Sequence, residues 1–106
     1  MHWTVTVTPE AEAELIQMPA DIQTRFLHVA ELLEAFGPHR VGMPHVRPLE
    51  GKLWEMRMTG RDGIARAVYV ARTGQRLTVL HVFTKKTQKT PRKAIETALK
   101  RLEAHQ

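Results

Sequence analysis

Three short segments of alternating apolar and polar residues, joined by two glycine-containing turns, constrain the fold of this chain more than any other feature. The first, "KLWEMRM" at residues 52–58, places Trp54, Met56 and Met58 on one side of an extended strand. The next two, "IARAVYVA" and "RLTVLHVF", lie within residues 64–83, and the connections "GRDG" and "RTGQ" fit tight turns. Three consecutive strands with short connections predict an antiparallel meander.

The residues before the meander predict one strand followed by two helices. "WTVTV" at residues 3–7 alternates as a half-buried strand does. Thr8 is the predicted N-cap of the first helix, and Pro9 suits its first position. The second helix starts at Pro19 and stops at Gly37-Pro38, so the two form a helical hairpin. One apolar face of the second helix is predicted to consist of Ile22, Phe26, Val29, Leu33 and Phe36.

The remaining segments complete an α+β domain that occupies residues 1–106. Residues 37–51 hold three prolines and three glycines and are predicted to be a loop. Residues 91–104 predict a last helix, with Thr90 as its cap, Pro91 as its start and an apolar stripe of Ile95, Leu99 and Leu102. The order is therefore βααβββα. The hairpin is expected to cover one face of a curved antiparallel sheet and to leave the other face open and basic, with Glu55, Arg57 and Arg66 on it.

Charge is distributed unevenly along the chain. Residues 1–39 carry six acidic side chains and one basic side chain, Arg25, whereas residues 40–106 carry fifteen bases and five acids. Between Asp62 and Glu96 there are eight bases and no acid. The net charge of +5 and the pI of about 10.1 favour a polyanionic partner, either nucleic acid or an acidic protein. Charge that serves only solubility explains the net excess, but it explains the acid-free stretch less well.

Composition excludes several other classes of function. The absence of cysteine excludes disulfides and thiolate metal sites. No apolar run approaches the ~18–20 residues of a membrane span, and the N-terminus lacks the apolar core of an export signal, so a cytoplasmic protein is expected. His39 and His45 have no further ligand at metal-like spacing, and no metal site is predicted.

Six basic residues could border one edge of the predicted sheet. They are Arg57, Arg66, His81, Lys85, Lys86 and Lys89. RNA cleavage needs a group that takes the proton of a 2′-hydroxyl, cations that stabilise the phosphate, and a group that protonates the leaving oxygen. Arginine and lysine can supply much of this chemistry, since phosphoryl transfer depends mainly on positioning and electrostatics.

Each of these residues also has a structural interpretation. Arg57 and Arg66 could form cross-strand ion pairs with Glu55 and Asp62. His81 lies between two apolar residues and, read alone, is more often structural than catalytic, and the three lysines could belong to a solvated loop. Tyr69 alternates with alanines and is expected to be packed. The residues alone therefore predict a basic domain with an anion-binding sheet face, and not yet an enzyme.

Two long motifs resemble a known family. "LEGKLWEMRMTGRDGIARAVYV" and "LTVLHVFTKKTQKTPRKAIETALKRLEA" resemble the RelE/HigB-type toxins of bacterial toxin–antitoxin modules, in the phage-derived branch of the RelE/ParE superfamily. The resemblance extends over essentially the whole chain. It implies a metal-independent endoribonuclease that needs no cofactor and cuts mRNA in the ribosomal A site. It also implies an adjacent antitoxin, often with a helix-turn-helix domain.

The resemblance assigns roles residue by residue. Arg57 and Arg66 match strand arginines that contact the phosphate, and His81, Lys85 and Lys86 match a basic strand-end segment. The predicted catalytic residues are Arg57, Arg66, His81 and Lys85. The predicted RNA-binding residues are Lys52, Arg61, Lys86, Lys89, Arg92 and Lys93. The last helix has no tyrosine, so the tyrosine that RelE carries there is absent. Two other functions stay open, a ParE-like toxin that inhibits DNA gyrase and an inactive domain that acts only in autoregulation.

Overall fold

The computed structural model describes residues 2–85 and 89–105 as four helices and five strands. No helix in these residues is long and apolar enough to cross a membrane. In chain order the elements are β1 (Thr4–Val7), α1 (Pro9–Ile16), α2 (Ala20–Phe36), α3 (Pro38–Val41), β2 (Val46–Glu50), β3 (Leu53–Gly60), β4 (Gly63–Arg72), β5 (Arg76–Lys85) and α4 (Arg92–Ala104).

The starts of the first and last helices differ, although both carry Thr-Pro. Thr8 caps α1 as predicted, since its hydroxyl accepts the N–H of Ala11 at 3.2 Å and Pro9 opens the helix. The matching prediction for Thr90 is wrong. The N-cap of α4 is Pro91, which makes no side-chain cap, and the Thr90 hydroxyl instead donates a hydrogen bond to the Glu55 carboxylate.

One five-stranded sheet has the order β1-β5-β4-β3-β2. The predicted meander is confirmed as β3, β4 and β5, which pair antiparallel across the predicted turns. β1 adds to the outer edge as the only parallel pair among the described strands. The prediction of a loop over residues 37–51 is wrong, because this segment contains α3 and β2. β2 is an edge strand, a position where Pro48 removes no hydrogen bond from a central ladder.

The first face of the sheet packs under α1 and α2. Met56, Met58 and Tyr69 point from the sheet into this core, where Phe26 and Leu33 of α2 are buried against them. The predicted apolar face of α2 is confirmed except at Phe36. This residue is 49% exposed because α2 ends at Gly37, and it carries the guanidinium of Arg40 over its ring.

The second face of the sheet is only half open, which corrects the prediction that it would be free. α4 lies across one half of this face, where Ile95 and Ala98 pack on Leu53, Val68, Val70 and Leu80. Leu99, predicted to join the stripe, is 40% exposed instead. Arg66 and Glu55, expected on an open surface, are 7% and 1% exposed. The residues next to the covered half therefore form a recess and not a flat surface.

Candidate anion-binding site

A small cavity opens beside the covered half of the second face. Its volume is about 120 Å³. It is lined by the segment before β2, by the start of β2 and by side chains of β3 and β4, namely Met43, Pro44, His45, Val46, Arg47, Glu55, Arg57 and Arg66. Three arginines and one carboxylate border this space, so the cavity carries an excess of positive charge.

The sheet register places the two predicted phosphate-binding arginines side by side. Arg57 on β3 and Arg66 on β4 are direct partners in the antiparallel ladder, because the short β3–β4 turn fixes the pairing. The backbone N–H of Arg57 donates to the carbonyl of His45 at 2.8 Å, which brings the segment before β2 against the same strand. The structure therefore brings Arg57 and Arg66 together as the sequence predicts.

Glu55 is the centre of a group of side chains called here the Glu55 cluster, which comprises Glu55, Arg47, Arg66 and Thr90. Arg66 Nη1 donates to Glu55 Oε1 at 2.6 Å, and Arg47 donates to the same oxygen from Nε at 3.1 Å. The Thr90 hydroxyl donates to the other oxygen. Because three donors occupy the carboxylate, Glu55 holds the arginines in place and has little capacity left to accept a proton from a substrate.

Arg66 keeps donor capacity that none of the described residues uses. Its Nε is buried, and no residue in the described parts of the chain accepts a hydrogen bond from it. Burial lowers the pKa of Arg66 from its ordinary value, Glu55 opposes this effect, and Arg57 and Arg47 add to it. The guanidinium still stays protonated at neutral pH. Arg66 also lines the cavity, and a charged guanidinium at a cavity favours an anionic ligand there.

His81 lies outside this cavity, in a second group called the Glu14 cluster, which comprises Glu14, His81 and Arg101. Nδ1 of His81 is 3.0 Å from Glu14 Oε1, and its ring stacks on Phe83. Arg101 donates Nη1 to Glu14 at 2.8 Å and to the Leu80 carbonyl at 3.0 Å, and Nη2 to the other carboxylate oxygen at 3.0 Å. Glu14 also accepts the N–H of Val82, so this cluster fastens α1 and α4 to β5.

The other predicted site residues have separate positions. Lys85 pairs through its backbone with Ile64, two residues from Arg66 on β4, whereas Lys86 lies outside the described residues. Arg92 forms an ion pair at 2.7 Å with Glu50, the last residue of β2. Four more predicted RNA-binding residues, Lys52, Arg61, Lys89 and Lys93, are exposed. None of these four lines the 120 Å³ cavity.

Sequence reasoning missed Arg47 and treated His45 as plain surface. His45 immediately precedes β2 and Arg47 lies in β2. The prolines of this segment argue against a strand, so no alternating pattern indicated these two residues. Tyr69 is packed as expected: it is fully buried, stacks on Trp54, and burial raises the pKa of its hydroxyl. Within the described ranges there is no group of three or more His, Cys, Asp or Glu side chains that could hold a metal ion.

Comparison with known proteins gives one family match. The family model described as phage-derived protein Gp49-like (DUF891) matches residues 13–103. No curated protein matches the chain.

Several solved structures share the fold, and three of them are structures of toxins. A mutant of the toxin RelE from E. coli in the free state superposes with a TM-score of 0.64 at 14% identity, covering 96% of this chain and 99% of RelE. An archaeal RelE–RelB complex from Pyrococcus horikoshii gives 0.61 at 24% identity, covering 79% of this chain and 96% of the other. The toxin–antitoxin complex RelBE2 from Mycobacterium tuberculosis gives 0.52 at 18% identity over 80% and 100% of the two chains.

Proposed function

Because the chain belongs to the family of phage-derived Gp49-like proteins and has a RelE-like fold, we propose that it is the toxin of a toxin–antitoxin pair that cuts mRNA on the ribosome. The observation that carries the proposal is the cavity at Arg57 and Arg66, where a buried guanidinium has a donor without a partner in the described residues. A phosphodiester supplies the acceptor oxygens that such a donor lacks.

The proposed chemistry is cleavage of a phosphodiester by the neighbouring 2′-hydroxyl. The oxygen of that hydroxyl bonds to phosphorus, the bond from phosphorus to the 5′-oxygen breaks, and the proton lost by the hydroxyl is balanced by one gained by the leaving oxygen. Arg57 and Arg66 hold the phosphate and stabilise the negative charge that builds on it in the transition state. The arginines are held in place by Glu55, which makes this carboxylate a positioning residue.

We assign the proton transfers to His45 or Lys85. Glu55 is occupied by three donors, and arginine does not release its proton at neutral pH. His45 lines the cavity, and an imidazole can both accept and donate a proton. Lys85 is a catalytic residue predicted from the sequence, and it lies on β5, the strand that pairs with the strand of Arg66. His81, also predicted as catalytic, is bound to Glu14, which favours a structural role.

An antitoxin is the proposed regulatory partner. Two of the structural neighbours are complexes of a RelE toxin with its antitoxin. An acidic antitoxin segment lying across the basic cavity would block it. A gel shift of the protein with anionic peptides should then weaken as salt is raised. A small helix-turn-helix protein encoded next to this chain would identify the pair.

Expression of the chain alone tests the function. We expect growth arrest, with primer extension showing new ends inside translated messages and none in messages whose start codon is removed. Intact messages together with DNA breaks linked to gyrase would contradict the proposal and support a ParE-like toxin. The uncleaved messages of cells that express Arg57→Ala serve as the matched control.

A further inference from the structure

A second cavity adjoins the first one and extends it toward α2. It has a volume of about 240 Å³ and is lined by Arg25, Pro44, His45, Arg57 and Thr59. Pro44, His45 and Arg57 also line the first cavity, so the two spaces meet at these shared residues. The pair of cavities, which share these three lining residues, is called here the two-lobed groove.

The charge of the two-lobed groove is strongly positive. Arg47 and Arg66 border the first lobe, Arg25 borders the second, and Arg57 lies between them. The lining residues include one acid, Glu55, whose carboxylate is already bound by Arg47, Arg66 and Thr90. Each lobe of the groove therefore has a net positive charge. A ligand with a single anionic group would neutralise the charge of the first lobe and leave the positive charge of the second lobe without a counter-ion.

Arg25 stands out in its own part of the chain. It is the lone lysine or arginine in residues 1–39, where six acids occur, and α2 holds it exposed at the groove. No ion pair or side-chain hydrogen bond forms between Arg25 and the described residues. Asp21 and Thr24 border the next recess on α2, and the Asp21 carboxylate accepts the backbone N–H of Arg61 at 2.5 Å. Arg25 is thus the last basic residue at this end of the two-lobed groove.

We infer that the second lobe binds the phosphate adjacent to the one held by Arg57 and Arg66, so that the groove grips two successive phosphates of single-stranded RNA. The inference rests on the proposed function and identifies a flanking subsite for its substrate. His45, whose ring meets that of His28 edge to face at 6.3 Å, lies between the two phosphates. Aromatic and histidine rings of this kind are surfaces on which unpaired bases stack.

The test uses RNA that binds but cannot be cut. Oligonucleotides with 2′-O-methyl groups lack the attacking hydroxyl, and a dinucleotide carries one phosphate between nucleosides whereas a pentanucleotide carries several. Affinities are measured by fluorescence anisotropy for wild type, Arg25→Ala and Arg25→Lys. Lys100→Ala, an exposed charge on α4 away from the groove, is the matched control.

Arg25→Ala is expected to weaken binding of the pentanucleotide several-fold and to leave binding of the dinucleotide unchanged. The slope of log K against log salt should fall by about 0.7, the value for one phosphate contact on a single strand. Arg25→Lys should restore the slope, and Lys100→Ala should match wild type. If Arg25→Ala binds the pentanucleotide as wild type does, the flanking subsite is wrong while the proposed function stands. If wild type binds neither oligonucleotide, the flanking subsite is wrong, and primer extension decides the proposed function separately.

Discussion

The Glu55 cluster and the Glu14 cluster are built alike but differ in what their arginines have left to donate. In the Glu14 cluster, Arg101 gives both Nη groups to the carboxylate and one of them also to the Leu80 carbonyl. In the Glu55 cluster, Arg66 gives Nη1 to the carboxylate, while its buried Nε has no partner among the described residues. The first cluster is closed by its own contacts, and the second faces a cavity.

This difference separates a structural role from a binding role. An unsatisfied buried donor costs about 1–3 kcal/mol of stability. Under the proposed function, a ligand in the cavity that Arg66 lines offsets this cost. The Glu14 cluster instead joins α1 and α4 to β5, where Val82 donates its N–H to Glu14 and Arg101 donates to the Leu80 carbonyl. Both clusters contain residues predicted as catalytic, and the comparison favours Arg66 over His81.

The largest expected effect is on folding and concerns the two central carboxylates. Glu55→Ala should lower the free energy of unfolding by about 3–5 kcal/mol, because it leaves the charge of Arg66, which is 7% exposed, without its counter-ion. Glu14→Ala should cost only about 1–2 kcal/mol, since the Glu14 side chain is 26% exposed and water can solvate its partners. Urea titration gives both values, and equal losses would contradict the comparison.

The next largest effect is the difference in mRNA cleavage between variants of Arg66 and of Arg101. Arg66→Lys keeps the charge but loses the forked donor set, so mRNA cleavage in a translating extract should fall roughly 100-fold. Arg101→Lys should leave cleavage per folded molecule close to wild type, because Arg101 contacts Glu14, His81 and the Leu80 carbonyl and does not line the cavity. An Arg66→Lys protein that is folded by circular dichroism and still cleaves at full rate would break the assignment.

The two histidines should show opposite phenotypes. His45→Gln should reduce cleavage by about 100-fold if His45 transfers the proton, with little change in stability. His81→Gln should cost about 1 kcal/mol of stability, through its bond to Glu14, and leave cleavage intact. Full activity in His45→Gln would show that His45 does not transfer the proton and would favour Lys85 in that role.

The smallest effect is the pH dependence of the Glu14 cluster. Burial acts to raise the pKa of Glu14, but hydrogen bonds from Arg101, from the Val82 N–H and from His81 outweigh it, so the pKa lies below its ordinary value of 4.5. A lowered native pKa contributes stability above pH 4.5 that is lost as the pH falls through the native pKa. Wild type should therefore lose more stability than Glu14→Gln between about pH 5 and about pH 3. Parallel losses would contradict this ion pairing.

The parts of the fold that follow from local patterns were predictable. Period-two alternation and glycine turns indicate the meander, and Thr8-Pro9 indicates the start of α1. β2 was missed because Pro48 argues against a strand unless that strand lies at an edge, which depends on the whole sheet. The sequence does indicate the cover by α4 in one place. Residues 67–71, "AVYVA", form a continuous apolar run, which is typical of a strand buried between two layers, and residues 65–70 are buried in the structure.

The part of the site that depends on the pairing of β3 with β4 was predictable from the sequence. A short turn between β3 and β4 forces Arg57 and Arg66 together. The position of His81 depends on an irregularity in β5, where the pairing shifts between Val68 and Tyr69 and alternation no longer tells which way a side chain points. Arg25 and Arg47 reach the groove from other elements, and only the tertiary packing of α2 and β2 against β3 brings them there.

Heteronuclear NMR of the arginine Nε–H groups tests the central claim most directly. The protein is titrated with the 2′-O-methyl pentanucleotide, and the signals of Arg66 and Arg101 are followed in one spectrum. The Nε–H signal of Arg66 should shift and become protected from exchange as its missing acceptor arrives, while that of Arg101 stays in place. A titration that moves Arg101 and leaves Arg66 unchanged would contradict the assignment of the Glu55 cluster as the anion site.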